Sequence, residues 1–380
     1  MSGPTGGPDR TSGERARSPV VAADREASAR VDGLPPQIAA AVTNDHLHLI
    51  VNPTERCNLR CVYCYESFAL GKMSPPVVSG VLNLAKRRAL SGLKSFQLEF
   101  FGGEPMAAWD VVAPLARGLA DICRADGVRM FGGMTTNGVL LTRPRVDRLA
   151  AWGLHAFQVT LDGPKTVHDR RRRALRGAGS FDAVWRALQT LKSAPHPLEV
   201  TIRLHFDPTT LPRLLGEMGF VRTTAQTLVA GDARFRLHFH ALGRWGGPRD
   251  AETPVFADAS EERAAIEALV EAALAAGCAP QQIVQYRRDA ALGESGHAIC
   301  YAARANAFVI RSDGRVAKCT VAFEDDRNTI GRLEENGDLV VDHARHLPWL
   351  RGLLSGDPVA LSCPARGYVW SADGPLTPST

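Results

Sequence analysis

The chain has 380 residues, of which 45% are apolar and 22% charged, a composition typical of globular proteins with one large domain or two smaller ones. No run of about eighteen apolar residues occurs, and the N-terminus lacks the apolar region of a secretory signal. We therefore predict a cytoplasmic protein with no membrane partner. The net charge of +5 is small, and one arginine run (170–173 plus 176) accounts for it, which argues against a broad nucleic-acid-binding face.

The first part of the chain predicts a tail followed by alternating strands and helices. Residues 1–44 are rich in Gly, Pro, Ser, Ala and Arg, and they predict a disordered tail with one short helix near Pro36–Val42. Six β-rich runs follow, and helical patterns separate them. The predicted strands are His46–Asn52, Phe96–Phe101, Arg129–Thr135, His155–Leu161, Leu198–Phe206 and Phe235–Ala241. The predicted helices are Pro75–Leu90, Trp109–Ala125, Arg143–Trp152, Phe181–Ser193 and Thr210–Val229. This alternation predicts an α/β fold, a parallel sheet of βαβ units that forms an incompletely closed barrel over residues 45–242.

The pattern changes after Ala241. Residues 243–279 predict a Gly/Pro-rich linker and an Ala-rich helix at Ser260–Gly277. Two β-rich runs about Asp313-Gly314 then predict a hairpin within a smaller α+β module at 280–367, and the last residues, 368–380, predict a frayed C-terminus.

Three of the eight cysteines lie within eight residues, in the sequence CNLRCVYC. Cys57, Cys61 and Cys64 follow the first predicted strand and therefore lie on a loop at its C-terminal end. Three thiolates can hold three irons of a [4Fe–4S] cube and leave the fourth iron open, whereas electron-carrier clusters typically have four cysteines. The alternatives are a zinc site completed by His46 or His48 and chance clustering. Cys123 and Cys278 lie in or beside helical apolar patterns and are interpreted as buried small hydrophobic residues.

The motif CNLRCVYC after a strand resembles the signature of the radical S-adenosylmethionine (SAM) superfamily. In that family the amino and carboxylate groups of SAM chelate the open iron, and one electron cleaves SAM to methionine and a 5′-deoxyadenosyl radical that takes a hydrogen atom from substrate. Tyr63, next to Cys64, matches an aromatic residue that often lies near the adenine. The resemblance implies a partial (β/α)6 barrel, a [4Fe–4S] cluster, SAM and an external reductase, flavodoxin or ferredoxin as electron donor.

Three further motifs at predicted strand ends extend the resemblance. Gly102-Gly103-Glu104-Pro105 resembles the family's GGEP motif, in which the glycines approach the methionine moiety of SAM and polar groups around the glutamate receive its ammonium. Thr136 and Asn137 belong to a TNG motif that either binds ribose hydroxyls or simply forms a turn. Thr160, Asp162 and Arg172 belong to a segment resembling S/T-x-DGP…HDxxR of the peptide- and sulfatase-modifying branch, where Ser/Thr and Arg hold the SAM carboxylate.

The C-terminal cysteines resemble a truncated SPASM/twitch domain. Cys300-x13-Gly314-x4-Cys319 matches the opening of that auxiliary-cluster domain, and Cys363-Pro364 resembles the start of its next cysteine group. No further cysteine follows, so a second auxiliary cluster is excluded by ligand count. We expect one auxiliary [4Fe–4S] cluster on Cys300, Cys319 and Cys363, with its fourth site open or filled by Cys278, His297 or substrate. The alternatives are a cluster-free twitch fold and a truncated chain.

The resemblance implies an oxidoreductase that matures a ribosomally made peptide, cross-linking or otherwise modifying its side chains. A sulfatase-type formylglycine maturase is the alternative within the family, although those enzymes resemble full SPASM proteins. A non-catalytic iron–sulfur or zinc scaffold is the alternative from another class. The N-terminal tail is short for a leader-peptide recognition domain, so we expect a separate protein or the auxiliary module to capture the precursor. No catalytic residue is assigned, although the candidates in the barrel interior are His205, Asp207, His238 and His240.

Overall fold

The computed structural model describes residues 34–216, 219–285, 299–321 and 323–365. Most of the predicted tail (1–44) and all of the predicted frayed C-terminus (368–380) lie outside these ranges. The short helix expected near the start is present as α1 (Pro36–Val42). Within the described ranges, no helix combines the length and the apolar composition that crossing a membrane requires.

The predicted parallel sheet is confirmed. Six parallel strands lie side by side in the order in which they occur along the chain. They are β1 (His46–Val51), β3 (Ser95–Phe100), β4 (Arg129–Thr136), β5 (Leu154–Leu161), β7 (Glu199–Phe206) and β8 (Phe235–Ala241). Two short strands, β2 (Leu59–Cys61) and β6 (Arg172–Ala174), form a separate antiparallel pair. The six β/α units form the expected partial barrel, with the strands' C-terminal ends at one edge.

The helices bury one face of this sheet. They are α2 (Pro75–Leu90), α3 (Trp109–Ala125), α4 (Arg143–Ala151), α5 (Lys165–Arg171) and α6 (Phe181–Ser193). In α3 the buried side chains Val112, Leu115 and Leu119 recur at helical spacing and belong to the same core as Leu98 of β3. Alternate strand residues therefore face the helices, and the intervening polar ones face the barrel interior.

The single helix expected at Thr210–Val229 is a wrong prediction. The segment contains α7 (Leu211–Leu215), α8 (Phe220–Thr224) and one π-helical turn at Ala225–Val229. The interruption has a local cause, because a Cβ on Gly219 would lie 2.5 Å from the carbonyl oxygens of Gly216 and Leu214. Apolar periodicity continues across this break, which is why the sequence pattern reads as one element.

The C-terminal part continues the core sheet. Helix α9 (Ala259–Ala275) precedes β9 (Ala307–Ile310) and β10 (Arg315–Ala317), the predicted hairpin, in which Gly314 has φ +87°. Strands β11 (Thr329–Leu333) and β12 (Leu339–Val341) extend it, followed by the short helices α10 (His343–His346), α11 (Arg351–Ser355) and α12 (Pro358–Ser362). Because β9 pairs in parallel with β1, one ten-stranded sheet runs through both parts. The division predicted at residues 242, 279 and 367 stays a prediction.

Candidate active site

The cysteine loop is attached to the barrel at two places. Strand β2 carries Cys61 opposite Arg172 of β6, and the amide of Val62 donates to the Arg171 carbonyl at 3.0 Å. All three thiols are free and half-buried. Burial raises the pKa of Cys57 and Cys64 to about 12 and also raises that of Cys61, so a bound cation is needed to hold them as thiolates at neutral pH.

The surroundings of these thiols fit a polynuclear cluster better than a single zinc ion. His46 bonds the Ser95 hydroxyl and His48 pairs with Glu99, both away from the cysteine loop. In the part of the chain that the structure describes, no three side chains of Cys, His, Asp or Glu converge on one metal-ion position. A zinc ion needs such convergence, whereas in an iron–sulfur cube each thiolate binds a different iron.

The two glycines of the GGEP motif let the turn after β3 pack against the cysteine loop. A Cβ on Gly102, whose φ is +100°, would lie 2.5 Å from the Thr54 carbonyl oxygen, and one on Gly103 would lie 2.4 Å from that of Arg56. The close approach therefore involves the cysteine loop's own backbone. Any larger residue at either position would push the loop away from β3.

Glu104 connects this turn to the TNG turn after β4. Its carboxylate is fully buried and accepts hydrogen bonds from the Met106 amide (2.9 Å), the Thr136 hydroxyl (2.7 Å) and the Asn137 amide (2.7 Å). Burial raises the pKa of Glu104, and the three donors oppose that rise. Glu104 is therefore the carboxylate that fixes the TNG turn, and its oxygens are occupied within the protein.

The polar side chains of the TNG motif also have internal partners. The Thr136 hydroxyl accepts from the Gly138 backbone amide at 3.1 Å. The side-chain amide of Asn137 donates to Asn58 Oδ1 at 2.7 Å, beside Cys57. Of the two interpretations of TNG, turn formation thus has direct support. The turn also links Glu104 to the cysteine loop through Asn58.

A buried network surrounds Arg172. Its Nη1 donates to the Tyr63 hydroxyl at 2.7 Å, and that hydroxyl donates to Asp162 Oδ1 at 2.8 Å. Arg171 lies 3.4 Å from the other Asp162 oxygen and 3.0 Å from Asp207. Arg170, Arg173 and Arg176 are exposed, so Arg172 is the residue of this run that reaches the cavity.

The histidine and aspartate of HDxxR support the backbone that carries Arg172. His168 is fully buried, accepts from the Asp162 amide through Nδ1 and lies 3.0 Å from the Ser180 hydroxyl through Nε2. Ser180 in turn donates to the Arg172 carbonyl at 2.6 Å, and Asp169 caps α6 by accepting from the Phe181 amide at 2.8 Å. Burial lowers the pKa of His168 to about 3, so it is neutral at physiological pH.

These elements enclose a cavity that is open to solvent. All three cysteines line it, as do seven predicted cofactor-binding residues: Tyr63, Gly102, Gly103, Thr136, Asn137, Thr160 and Arg172. Three others do not line it but lie behind its wall: Glu104, Pro105 and Asp162. Of the four interior candidates, His205 and His240 line the cavity, Asp207 pairs with Arg171, and the His238 ring lies 5.5 Å from the His240 ring, centroid to centroid.

Several lining residues were not expected, namely Tyr65, Glu66, Arg203 and Trp245. Arg203 shares an alternating pattern with His205 in β7, and that pattern was a signal that both face the barrel interior. Trp245 comes from the linker, and a Cβ on nearby Gly247 would lie 2.7 Å from the Cys64 carbonyl oxygen. Sequence periodicity carries no signal for such a loop contact.

Comparison with known proteins agrees with this geometry. Residues 51–209 match the radical SAM superfamily. This segment is a radical SAM domain. The domain's cofactors are a [4Fe–4S] cluster and SAM, which accounts for three thiols and an open cavity in one place.

Curated relatives match part of this chain over part of their own length. GTP 3′,8-cyclase of Heliobacterium modesticaldum is 29% identical over 169 residues, which cover 43% of this chain and 47% of that protein. Mycofactocin maturase MftC of Mycobacterium tuberculosis is 37% identical over 142 residues, which cover 37% of this chain and 33% of that protein. The chain thus spans about half or less of the length of these relatives.

Solved structures share the fold of the radical SAM domain and of the part that follows it. The structure of anSMEcpe with bound AdoMet and the Cp18Cys peptide has a TM-score of 0.64 at 18% identity, covering 83% of this chain and 88% of that one. Streptococcus suis SuiB bound to its precursor peptide SuiA has a TM-score of 0.57 at 14% identity, covering 85% and 73%. Both radical SAM proteins are similar to this chain in fold.

The second group of cysteines lies beside the radical SAM core. The Cys300 amide donates to the Leu361 carbonyl at 2.9 Å, which fixes it near α12 and Cys363, and the Cys319 amide donates to Asn328 Oδ1 at 2.9 Å. Burial raises the pKa of Cys300, and the neighbouring Cys319 and Cys363 raise it further, so the three thiols lie close enough to interact. Cys123 and Cys278 are confirmed as buried core residues, and His297 lies outside the described residues.

Proposed function

We propose that this chain is a radical SAM enzyme that takes a hydrogen atom from a side chain of a peptide and thereby cross-links or otherwise modifies it. The observation that carries the proposal is the convergence of Cys57, Cys61 and Cys64 on one cavity within the segment that matches the radical SAM superfamily. The bound cluster and SAM supply the one-electron chemistry. The protein residues described below bind and orient SAM.

Arg172 and Thr160 are the proposed ligands of the SAM carboxylate. Both line the cavity, and the Arg172 guanidinium is held in place by Tyr63 and, at 3.8 Å, by Asp162. A guanidinium group can donate two parallel hydrogen bonds to a carboxylate. Because the Arg172 side chain is already held in place, less conformational entropy is lost when the ligand binds. His168 and Ser180 do not contact the proposed ligand; they hold the Arg172 backbone in position.

A peptide is the proposed substrate class. The fold of this chain matches SuiB, solved with its precursor peptide, and anSMEcpe, solved with a peptide, over most of its length, and MftC is a maturase. The cavity is open to solvent, as the entry of a chain segment requires. A separate leader-binding protein and an external electron donor complete the proposed system.

GTP cyclisation is the second candidate, because GTP 3′,8-cyclases are among the relatives that match part of this chain. Those alignments cover less than half of this chain and less than half of those proteins, so they do not establish the substrate. The two candidates are separable by one assay.

The test uses anaerobically reconstituted protein with dithionite and SAM, and it measures 5′-deoxyadenosine by chromatography. Short peptides encoded beside the gene are supplied with deuterated side chains in one reaction and GTP in another. The proposal predicts deuterium in 5′-deoxyadenosine and a mass loss in the peptide. The triple variant C57A/C61A/C64A should produce none, whereas the buried-cysteine control C123A should match the parent. Turnover of GTP but not of the peptides would favour GTP cyclisation over peptide modification. Absence of 5′-deoxyadenosine in both reactions would refute the proposal that this chain is a radical SAM enzyme.

We also propose one auxiliary [4Fe–4S] cluster on Cys300, Cys319 and Cys363. The effect of Cys319 and Cys363 on the pKa of Cys300, and the hydrogen bond from the Cys300 amide to the Leu361 carbonyl, two residues before Cys363, support it. Cys278 is an unsuitable fourth ligand, because it is 5% exposed and packed into the main core. The fourth position is therefore left to His297, solvent or substrate.

A further inference from the structure

His205 lies in the wall of the cavity with one ring nitrogen unaccounted for. The residue is on β7, is 9% exposed and lines the same cavity as the three cysteines of the loop. Its Nδ1 lies 3.0 Å from the Tyr63 hydroxyl, whereas its Nε2 is buried and has no hydrogen-bond partner among the described residues. Leaving a buried polar atom without a hydrogen-bond partner costs free energy, so an unpaired nitrogen here needs an explanation.

The partners of Tyr63 determine which ring nitrogen of His205 carries the proton. A phenol has a single proton to donate, and that of Tyr63 goes to Asp162 Oδ1 at 2.8 Å. Arg172 Nη1 donates to the same phenol oxygen at 2.7 Å. His205 can therefore meet that oxygen only as a donor, through Nδ1–H. The nearby Asp162 oxygen, 3.8 Å from Nδ1, favours the same arrangement.

The consequence is an imidazole whose Nε2 carries a bare lone pair. Burial, together with the neighbouring His240 and the arginines at 171, 172 and 203, holds the pKa of His205 well below its usual range, so the ring is neutral. The ring of His240 lies 5.3 Å away, centroid to centroid, at an interplanar angle of 42°. Nε2 is thus a hydrogen-bond acceptor held in a fixed place.

A ligand that chelates a cluster on the cysteine loop would occupy the cavity whose wall includes His205. Tyr63 is the residue between Cys61 and Cys64 that bonds His205, so His205 is one hydrogen bond away from the cysteine loop. The adenosyl group of SAM carries three donors, namely the adenine amino group and two ribose hydroxyls. Resting on the proposed function, we propose that His205 Nε2 accepts a hydrogen bond from the adenosyl group of SAM and so contributes to cofactor selection.

Two substitutions separate the acceptor from the Tyr63 contact. His205→Asn keeps an N–H near the Nδ1 position but lacks an acceptor at the Nε2 position. His205→Gln places a carbonyl oxygen near Nε2 and gives up the Nδ1 donor. In cluster-loaded protein we expect H205N to raise the Kd of SAM roughly tenfold and H205Q to raise it about threefold or less, as measured by equilibrium dialysis with unlabelled and labelled SAM. Iron content and circular dichroism verify that each variant is folded and loaded.

SAM analogues that each lack one donor complete the test. The 2′-deoxy, 3′-deoxy and 6-desamino analogues are compared on parent and H205N protein, and the analogue that lacks the bonded donor should bind both equally. Nitrogen-15 spectra of histidine-labelled protein should show an unprotonated Nε2 on His205, moving upfield when SAM is added. Equal SAM binding by parent and H205N, equal loss in H205N and H205Q, or a protonated Nε2 would overturn the inference. Failure of the proposed function would instead appear as no SAM binding by the parent.

Discussion

Replacement of Glu104 by glutamine tests whether this carboxylate fixes the TNG turn. Gln keeps the size of the side chain and keeps one oxygen to accept from the Met106 amide and the Thr136 hydroxyl. The other oxygen becomes an amide group, and its N–H donors then face the Asn137 N–H, which now donates to Oε2 at 2.7 Å. One charge-assisted hydrogen bond is lost and one buried donor is left unpaired.

The magnitude follows from those two changes. A hydrogen bond to a charged group contributes about 1.5–3 kcal/mol, and an unpaired buried donor costs about 1–3 kcal/mol. Removal of a buried charge offsets part of this loss, because burial raises the pKa of Glu104. We therefore expect E104Q to lower the free energy of unfolding by about 2–4 kcal/mol. The local effect at Asn137 should be at least as large.

Two measurements check this prediction. Urea unfolding, followed by circular dichroism, gives the global change, and hydrogen exchange resolved to the segment 132–141 gives the local one. A loss of about 2 kcal/mol corresponds to roughly 30-fold faster exchange of the Asn137 amide. E267Q, a substitution of an exposed glutamate on α9, is the matched control and should change neither. Unchanged exchange at Asn137 in E104Q would refute the assignment of Glu104 as the support of the turn.

Three further predictions follow from the site. Arg172→Met should weaken SAM binding about tenfold or more in dialysis, because a charge-assisted pair is lost. The control R173M, at the exposed neighbour, should bind SAM as the parent does. Equal SAM affinities of R172M and the parent would remove Arg172 from the site. C300A/C319A/C363A should lower iron per chain to the content of one cluster and keep some SAM cleavage, and unchanged iron would mean that no auxiliary cluster is present. Burial lowers the pKa of His168 from 6.5 to about 3, so as the pH falls the unfolded chain takes up the proton before the folded protein does. The contribution of His168 to the free energy of unfolding is therefore fully present above pH 6.5 and is lost by about 1.4 kcal/mol per pH unit as the pH falls toward 3. H168Q should flatten this dependence on pH in urea titrations, and an unchanged slope would contradict the prediction.

The sequence predicts most of the core because its signals are local. The bounds of α2, α3 and α6 match those expected, since each has a continuous apolar stripe that a proline, a short loop or a glycine terminates. The six parallel strands β1, β3, β4, β5, β7 and β8 were predicted within one residue at each end, because buried parallel strands carry dense β-branched and aromatic runs; the short pair β2 and β6 was not predicted. The exception is 210–229, where Gly219 allows a tight turn that apolar periodicity does not reveal.

The site was predicted less completely because its contacts are between motifs. Each motif predicted a strand-end loop, and all four loops do meet at one cavity. Two of the three partners of Glu104, however, lie 32 and 33 residues further along the chain, and Tyr63 meets Arg172 across 109 residues. No spacing rule specifies such pairs, so a motif residue such as Glu104 is equally compatible with ligand binding and with support of a neighbouring turn.

The pairing of β9 with β1 gives the two cysteine groups a common framework. Strand β1 leads directly into the cysteine loop, and β9 lies beside it with Val51 opposite Ile310, so any shift of the C-terminal hairpin is transmitted to the strand before Cys57. Glu55 of the loop reinforces the connection through a buried two-point ion pair with Arg311 at 2.6 and 2.9 Å. Because breaking a buried pair leaves an uncompensated charge at a cost of about 3–5 kcal/mol, separation of the hairpin from the loop is costly. The C-terminal hairpin is therefore a structural support of the cysteine loop.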